Sequence, residues 1–109
     1  MYNFSVSSTL KAWIDHVARA GVTFKYGANG PVGLLKNKKL YVFTSRGGVY
    51  SQGPAKSMDF HETYLRAVLG FLGITDVSFI HSEGLAMGEE AVNSALAGSR
   101  DAMHALIAA

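Results

Sequence analysis

Apolar residues recur with helical spacing near the start of the chain. The stripe consists of Leu10, Trp13, Ile14, Val17 and Ala18. This spacing places all five side chains on one face of a helix. Ser7 or Ser8 precedes the stripe and can cap the first turn. Gly21 follows it and is typical of the residue that ends a helix. We therefore predict an amphipathic helix between the serine pair and Gly21.

Two more helices are predicted further along. Asp59 and Glu62 match a capping box, and Gly73 ends the periodic stretch that follows. The inward positions of this helix are His61, Tyr64, Leu65, Val68, Leu69 and Leu72. Glu89 and Glu90 favour the start of the last helix, because acidic groups stabilise the positive end of the helix dipole. Its predicted inward positions are Val92, Leu96, Ser99, Met103 and Leu106.

Short apolar runs predict two strands, Leu40–Thr44 and Val77–His81. A hairpin precedes them, because the alternating run 22–26 is separated from the run 32–35 by the turn-rich segment 27–31. The predicted order is helix, hairpin, strand, helix, strand, helix. Two apolar strands joined by a helix indicate a parallel βαβ unit.

Two parallel strands cannot form a sheet wide enough to cover three amphipathic helices. We therefore expect a chain that lacks amino-terminal strands, being either truncated or completed by another chain. The strand edge at Leu40–Thr44 would then favour self-association.

Composition narrows the possible classes. The 109 residues are 49% apolar and 17% charged, which is typical of one small globular domain. The net charge is +2, and Lys36, Lys38 and Lys39 form the one basic cluster, so we expect no nucleic-acid partner. Cysteine is absent, and no histidines have metal-binding spacing, so no metal site is predicted. No run resembles a membrane span or signal peptide, which favours a cytoplasmic protein.

Two stretches are candidates for ligand binding. Thr44–Gly48 follows a buried strand, and open α/β sheets bind their ligands outside the carboxyl ends of such strands. Its two glycines would allow close approach to a flat ring. The second stretch, Met1–Phe4, precedes the first helix. Together these stretches suggest a flavin site.

Several blocks of the sequence closely resemble FMN-dependent NADH-azoreductases. They are Met1–Ser5, Leu10–Asp15, Ala18–Phe24, Asn29–Pro31, Thr44–Gly48 and Phe71–Val77. The resemblance covers essentially the whole chain but only the carboxyl-terminal half of the family. It implies an α/β, flavodoxin-like three-layer parallel sheet, present here as an incomplete portion with two core strands, three helices and one hairpin. Residues 1–109 would be the carboxyl-terminal half of a single flavodoxin-like domain.

The resemblance also implies the chemistry. Members bind FMN and use NADH or NADPH to reduce quinones and azo compounds by ping-pong hydride transfer. The flavin performs the transfer, so no catalytic side chain is expected. A homodimer, or a complementing amino-terminal half, is the implied partner. Nothing in the sequence matches the family's serine-rich phosphate loop, so we expect this chain alone to be a poor enzyme.

Site residues follow from the same resemblance. Those expected along the flavin are Met1, Tyr2, Asn3, Phe4, Ser45, Arg46, Gly47 and Gly48. Those expected in the substrate pocket are Tyr26, Tyr50 and Phe71. Other roles are open for two of these residues: Arg46 could be a surface ion-pair partner, and Phe71 could be core packing. His81, which ends a predicted strand, could meet substrate or be a satisfied or solvated histidine. The alternative function is a non-catalytic flavodoxin-like association module, and affinity for FMN distinguishes the two functions.

Overall fold

Helices and strands follow one another in the predicted order over residues 1–108, the part of the chain that this computed structural model describes. The helices are α1 (Ser8–Val17), α2 (Glu62–Leu72) and α3 (Glu89–Ala108). The strands are β1 (Phe24–Gly27), β2 (Gly30–Gly33), β3 (Lys39–Ser45) and β4 (Asp76–Ser82). A 3₁₀ helix, Pro54–Met58, lies in the long segment between β3 and α2 and was not predicted.

The chain divides into two compact units. The first unit comprises Met1, Tyr41–Asp59 and the chain from Ser78 onward. The second unit comprises Tyr2–Leu40 and Phe60–Val77. The first therefore contains most of β3 and β4 together with α3, and the second contains α1, the β1–β2 hairpin and α2.

Helix α1 begins as predicted and ends earlier than predicted. The Ser7 hydroxyl accepts the Leu10 N–H at 3.2 Å, which is the expected N-cap. The helix ends at Val17, so the prediction that Gly21 ends it is wrong. The physical reason is the buried hydroxyl of Thr23, which donates to the Val17 carbonyl at 2.8 Å and accepts the Arg19 N–H at 2.9 Å. These bonds replace the next helical turn.

The second unit has an apolar core. Its most deeply buried apolar side chains are Ile14, Leu65, Leu69 and Leu72. Gly73 ends α2 in the left-handed conformation (φ +105°), as predicted. A Cβ at Gly33 would lie 2.2 Å from the Gly73 nitrogen, so β2 and the end of α2 can approach this closely only with glycine at position 33.

The hairpin is confirmed. Strands β1 and β2 are antiparallel, with Phe24 opposite Gly33 and Gly27 opposite Gly30. Ala28 and Asn29 form the turn between them. The hairpin is joined to α2 by a hydrogen bond of 3.0 Å from the Leu35 N–H to the Leu72 carbonyl.

Helix α2 does not use the predicted capping box. Its N-cap residue is His61, and no side chain makes a cap hydrogen bond there. The Asp59 carboxylate is instead bound to Arg46, with Oδ2 at 2.8 Å from Nη1. A long-range ion pair has taken the side chain that the local pattern assigned to the helix.

The first unit buries polar groups. Strands β3 and β4 pair, and their contacts advance in the same direction, from Thr44–His81 to Arg46–Ser82, as in a parallel pair. Among residues 1–108, this unit buries one large apolar side chain, Ile80, and three polar or charged ones, which are Thr44, Arg46 and Ser99. On α3 only Ser99 is buried, whereas Leu96 and Met103 are exposed, which corrects the predicted inward face. Ser99 is held by a 2.7 Å hydrogen bond to Ser82.

The first unit also carries an exposed apolar surface. Tyr41 and Phe43 on β3 are 42% and 60% exposed. They line a groove of about 290 Å³ together with α3 side chains. The α3 residues in this groove are Met103, Leu106 and Ile107.

Candidate functional site

In the segment after β3 the carbonyl groups of residues 46–48 are paired, whereas the N–H groups of Gly47 and Gly48 are not paired in the described part of the chain. The carbonyls of Arg46, Gly47 and Gly48 accept the N–H groups of the segment after β4, each at 3.0 Å. The donors are Leu85, Ala86 and Gly84, in that order. Within residues 1–108, no atom accepts from the N–H groups of Gly47 and Gly48. Two successive donors are therefore available to a ligand at the end of a strand.

Tyr50 lies against this loop. A Cβ placed on Gly48 would be 3.3 Å from Tyr50 Cε2 and 3.5 Å from its hydroxyl oxygen. Any side chain at position 48 would therefore crowd the Tyr50 ring. The structure thus brings three predicted site residues together, namely Gly47, Gly48 and Tyr50.

Arg46 directly precedes the two glycines. Its side chain is fully buried, and its guanidinium meets both carboxylate oxygens of Asp59, at 2.8 and 3.3 Å. Glu83 Oε2 lies 3.4 Å from the same guanidinium. The backbone N–H of Arg46 is also used, by the Ser82 carbonyl at 2.9 Å. Arg46 is therefore an ion-pair partner inside the first unit, and its direct contact with a flavin stays a prediction.

Glu83 joins this ion cluster to the loop. Its carboxylate accepts the N–H groups of Tyr50 at 2.7 Å and Ser51 at 3.1 Å, and also the Ser51 hydroxyl. Burial alone would raise the pKa of Glu83. The hydrogen bonds from Ser51 and Tyr50, with the charge of Arg46, outweigh burial and lower the pKa below its ordinary value. Glu83 is therefore a carboxylate that fixes the loop at Tyr50 and Ser51.

The predicted amino-terminal stretch forms a tight turn in the second unit. Tyr2 and Ser5 exchange two backbone hydrogen bonds, of 2.9 and 3.0 Å. The residues between them, Asn3 and Phe4, have φ of +47° and +71°. These values are typical of a type I′ turn. Positive φ is unusual for phenylalanine, and such strain is concentrated at functional sites.

Phe60 fixes this turn from outside. Its N–H donates to the Phe4 carbonyl at 3.0 Å, and its carbonyl accepts the Ser5 hydroxyl at 3.0 Å. In the part of the chain that the structure describes, the Asn3 N–H has no acceptor. An open groove of about 800 Å³ begins beside the turn. It is lined by Tyr2, Asn3, Ser5, Val6, Ser7, Ser8, Thr9, Lys11 and Tyr64.

Met1 and Ser45, two further predicted residues, are in contact within the first unit. The backbone nitrogen of Met1 donates to the Ser45 carbonyl at 2.7 Å. This bond attaches the chain segment before Tyr2 to the end of β3.

The predicted substrate-pocket aromatics of the second unit are linked by Phe24. The Phe24 ring lies 4.6 Å from the Phe71 ring and meets the Tyr26 ring edge-on at 5.6 Å, measured between centroids. Phe71 is half-buried, and Tyr26 is 72% exposed. The three rings form a continuous aromatic surface whose outer end is Tyr26.

The remaining candidates give no site. His81 Nδ1 is 2.6 Å from the Thr44 hydroxyl, so His81 is a satisfied histidine, one of the two roles left open for it. Residues 1–108 contain no group of three or more acidic or histidine side chains that could hold a metal ion. None of the helices described is both long and apolar enough to cross a membrane.

Five residues that belong to these arrangements were missed in the sequence. They are Phe24, Ser51, Asp59, Phe60 and Glu83. Glu83 could have been found, because it directly follows β4, and the carboxyl ends of parallel strands meet at one sheet edge. Asp59 was misassigned because an aspartate three residues before a glutamate also matches a capping box.

The paired strands and the helices beside them define an α/β protein in which N–H groups at the end of one strand are available. Comparison with known proteins specifies the class. Residues 1–107 match the flavodoxin-like fold family, and the chain belongs to that family.

Two curated relatives have the same name, FMN-dependent NADH:quinone oxidoreductase. The protein from Herminiimonas arsenicoxydans is 66% identical over 100% of this chain, which corresponds to 53% of the relative. The protein from Ralstonia nicotianae is 59% identical over 98% of this chain and 51% of its own length. The chain thus spans about half the length of these relatives.

Solved structures agree with this assignment. An azoreductase from Bacillus anthracis superposes with a TM-score of 0.83 at 36% identity, covering 93% of this chain and 49% of that protein. An FMN-dependent NADH-azoreductase from the same species, crystallised with FMN, superposes with a TM-score of 0.83 at 32% identity. This match covers 97% of this chain and 52% of that protein.

Proposed function

We propose that this chain forms the part of an FMN-dependent NADH:quinone oxidoreductase that holds the isoalloxazine ring. The observation that carries the proposal is the pair of available N–H groups at Gly47 and Gly48. Backbone donors that are fixed before a ligand arrives stabilise negative charge without reorganising during the reaction. The names of the relatives support FMN as the cofactor and NADH as the donor.

Bound FMN would supply hydride transfer from NADH (or NADPH) to a quinone or azo compound, in two successive half-reactions of a ping-pong cycle. The protein would supply donors and position. Gly47 and Gly48 would donate to the electron-rich end of the ring, and Ser45 and Arg46 would complete this loop. Negative charge on the reduced ring would thereby be stabilised.

Residues Met1–Phe4 would contact the ring as well. The available N–H of Asn3 and the positive φ of Phe4 support this assignment. The strained conformation is held by Phe60, so the turn does not depend on a ligand for its shape.

Aromatic side chains would receive the flat acceptor. Tyr26 and Phe71 form a continuous surface with Phe24, and Tyr50 lies beside Gly48. Flat conjugated molecules such as quinones and azo compounds stack favourably on rings of this kind.

We propose further that residues 1–109 are the carboxyl-terminal half of a single flavodoxin-like domain, completed in a homodimer or by an amino-terminal half. The FMN phosphate would be held outside this chain. Residues 1–109 alone are therefore expected to bind FMN more weakly than a full-length protein that contains them.

The experiment is a titration of FMN, followed by quenching of flavin fluorescence, with the full-length protein and two glycine variants. Gly48→Val crowds Tyr50 and is expected to weaken FMN binding at least about tenfold. Gly98→Val is the matched control, because a side chain at this exposed helical position meets nothing within 4 Å. The control is expected to bind FMN like the unaltered protein and to oxidise NADH with a quinone.

Two outcomes would contradict the proposal. If the unaltered protein does not bind FMN, the alternative of an association module without cofactor takes its place. If it binds FMN and Gly48→Val binds equally well, the Gly47–Gly48 loop is not the ring contact.

A further inference from the structure

Glu83 connects the segment after β4 to the segment after β3 at two places. Its carboxylate contacts the Arg46 guanidinium and the N–H groups of Tyr50 and Ser51. Arg46 and Tyr50 lie on either side of Gly47–Gly48 in sequence. Glu83 therefore fixes both ends of the segment that presents the two available N–H groups.

Asp59 also holds Arg46, and its Oδ2 shares the guanidinium nitrogen Nη1 with Glu83 Oε2. It follows the 3₁₀ helix Pro54–Met58 and grips the guanidinium with both carboxylate oxygens. Bidentate pairs of this kind fix orientation as well as distance. The side chains of Arg46, Asp59 and Glu83 are 0%, 10% and 13% exposed, so water screens these charges little.

We propose that Glu83, acting through Arg46 and Ser51, is the positioning residue that keeps the Gly47–Gly48 N–H groups aimed at the cofactor. This inference rests on the proposed function. Because the donors are held in place before binding, the loop need not lose conformational entropy when the ring arrives, and affinity is gained. Removing the contacts of Glu83 should therefore weaken FMN binding without removing any group that touches the ring.

The cluster also explains why a carboxylate serves here. Arg46 carries one positive charge, whereas Asp59 and Glu83 together carry two negative charges. The extra negative charge of Glu83 is stabilised by the two N–H donors and the Ser51 hydroxyl. The guanidinium and both N–H groups meet the same carboxylate oxygen, Oε2. A glutamine at position 83 could keep an oxygen there but would lose the negative charge that faces Arg46.

The test uses the full-length protein with Glu83→Gln and Ser51→Ala. Matched controls are Glu90→Gln and Ser94→Ala, exposed residues of α3 in the same unit. The FMN dissociation constant is expected to rise about tenfold for Glu83→Gln and about threefold for Ser51→Ala, with both controls unchanged.

A second measurement separates positioning from general destabilisation. Ser51→Ala removes a hydrogen bond without changing charge, so looser N–H donors should make the reduction potential of bound FMN more negative. A purely structural role would leave the potential unchanged. In the protein without FMN, amide hydrogen exchange over residues 46–51 should be faster in both variants, while exchange in α2 is unaltered.

The outcomes distinguish this inference from the proposed function. Absence of FMN binding in the unaltered protein would contradict the proposed function. The inference would then be wrong as well, even if amide exchange showed that Glu83 and Ser51 fix residues 46–51. If the unaltered protein binds FMN, and Glu83→Gln matches it in affinity and in exchange at 46–51, Glu83 has no positioning role. An unchanged FMN potential in Ser51→Ala would likewise overturn the inference.

Discussion

Each of the two units of this chain buries a different kind of side chain in its interior. The second unit buries isoleucine and leucine side chains at positions 14, 65, 69 and 72. The first unit buries Arg46 completely and leaves Tyr41 and Phe43 exposed on β3. An apolar core tolerates small shifts, whereas an ion cluster requires fixed geometry. The difference indicates that the first unit is organised to hold a loop in one conformation, at the expense of apolar burial.

The largest effect is expected from breaking the ion cluster. Arg46→Met leaves the carboxylates of Asp59 and Glu83 buried without their cation. Loss of one partner from a buried ion pair typically costs about 3–5 kcal/mol of unfolding free energy. Urea unfolding followed by circular dichroism measures the change. Arg66→Met removes an exposed arginine and serves as the control, with an expected cost of at most about 0.5 kcal/mol. Equal effects of the two variants would show that burial of Arg46 carries no special energetic weight.

A leucine deletion tests the other unit. Leu72 is 3% exposed, and Leu72→Ala should cost about 3 kcal/mol through lost burial and the cavity left behind. Leu96, on α3 of the first unit, is 45% exposed, and Leu96→Ala should cost well under about 1 kcal/mol. The same urea unfolding experiment compares them. A larger loss for Leu96→Ala would mean that the first unit depends on apolar packing at α3 after all.

The identity and order of the elements could be predicted because they depend on local patterns. Helical spacing located α1 and α2, and glycine at position 73 ended α2 as expected. The loop that begins at Arg46 could be placed at a strand end because apolar runs end where chains leave a sheet. Such signals need only neighbouring residues.

The errors arose where distant residues compete with a local pattern. Asp59 matches a capping box but binds Arg46, thirteen positions earlier in the chain. Thr23 ends α1 with hydrogen bonds that no helical periodicity reveals. The predicted inward face of α3 was also wrong. Its apolar positions have the right spacing, but only Ser99 is buried among the residues described.

Acid should weaken the loop of the first unit. The pKa of Glu83 is lowered from its ordinary value of 4.5, so its charge stabilises the folded state above pH 4.5. This contribution is lost as the pH falls below 4.5 and through the lowered pKa. The charged groups of the cluster are Arg46, which faces Glu83, and Asp59, which binds Arg46.

Amide exchange over residues 46–51, corrected for its intrinsic dependence on pH, measures this effect. Protection there is expected to fall below pH 4.5 in the unaltered protein and to vary less in Glu83→Gln. Protection that falls equally in both proteins would assign the transition to another group.

The smallest effect is expected from the exposed ion pair of α2. Arg66 Nε and Glu62 Oε2 are 2.8 Å apart, but their side chains are 48% and 29% exposed. Pairs of this kind on a helix contribute about 0.3–0.5 kcal/mol, because water and salt screen them. Arg66→Gln should therefore lower the unfolding free energy by no more than this, and less at high salt. A loss near that of Arg46→Met would show that contact distance, and not burial, determines the energy of an ion pair in this chain. The two ion pairs have the same shortest contact, 2.8 Å. A much larger loss of unfolding free energy for the buried pair would therefore show that desolvation of the charges, and not contact distance, separates the two units.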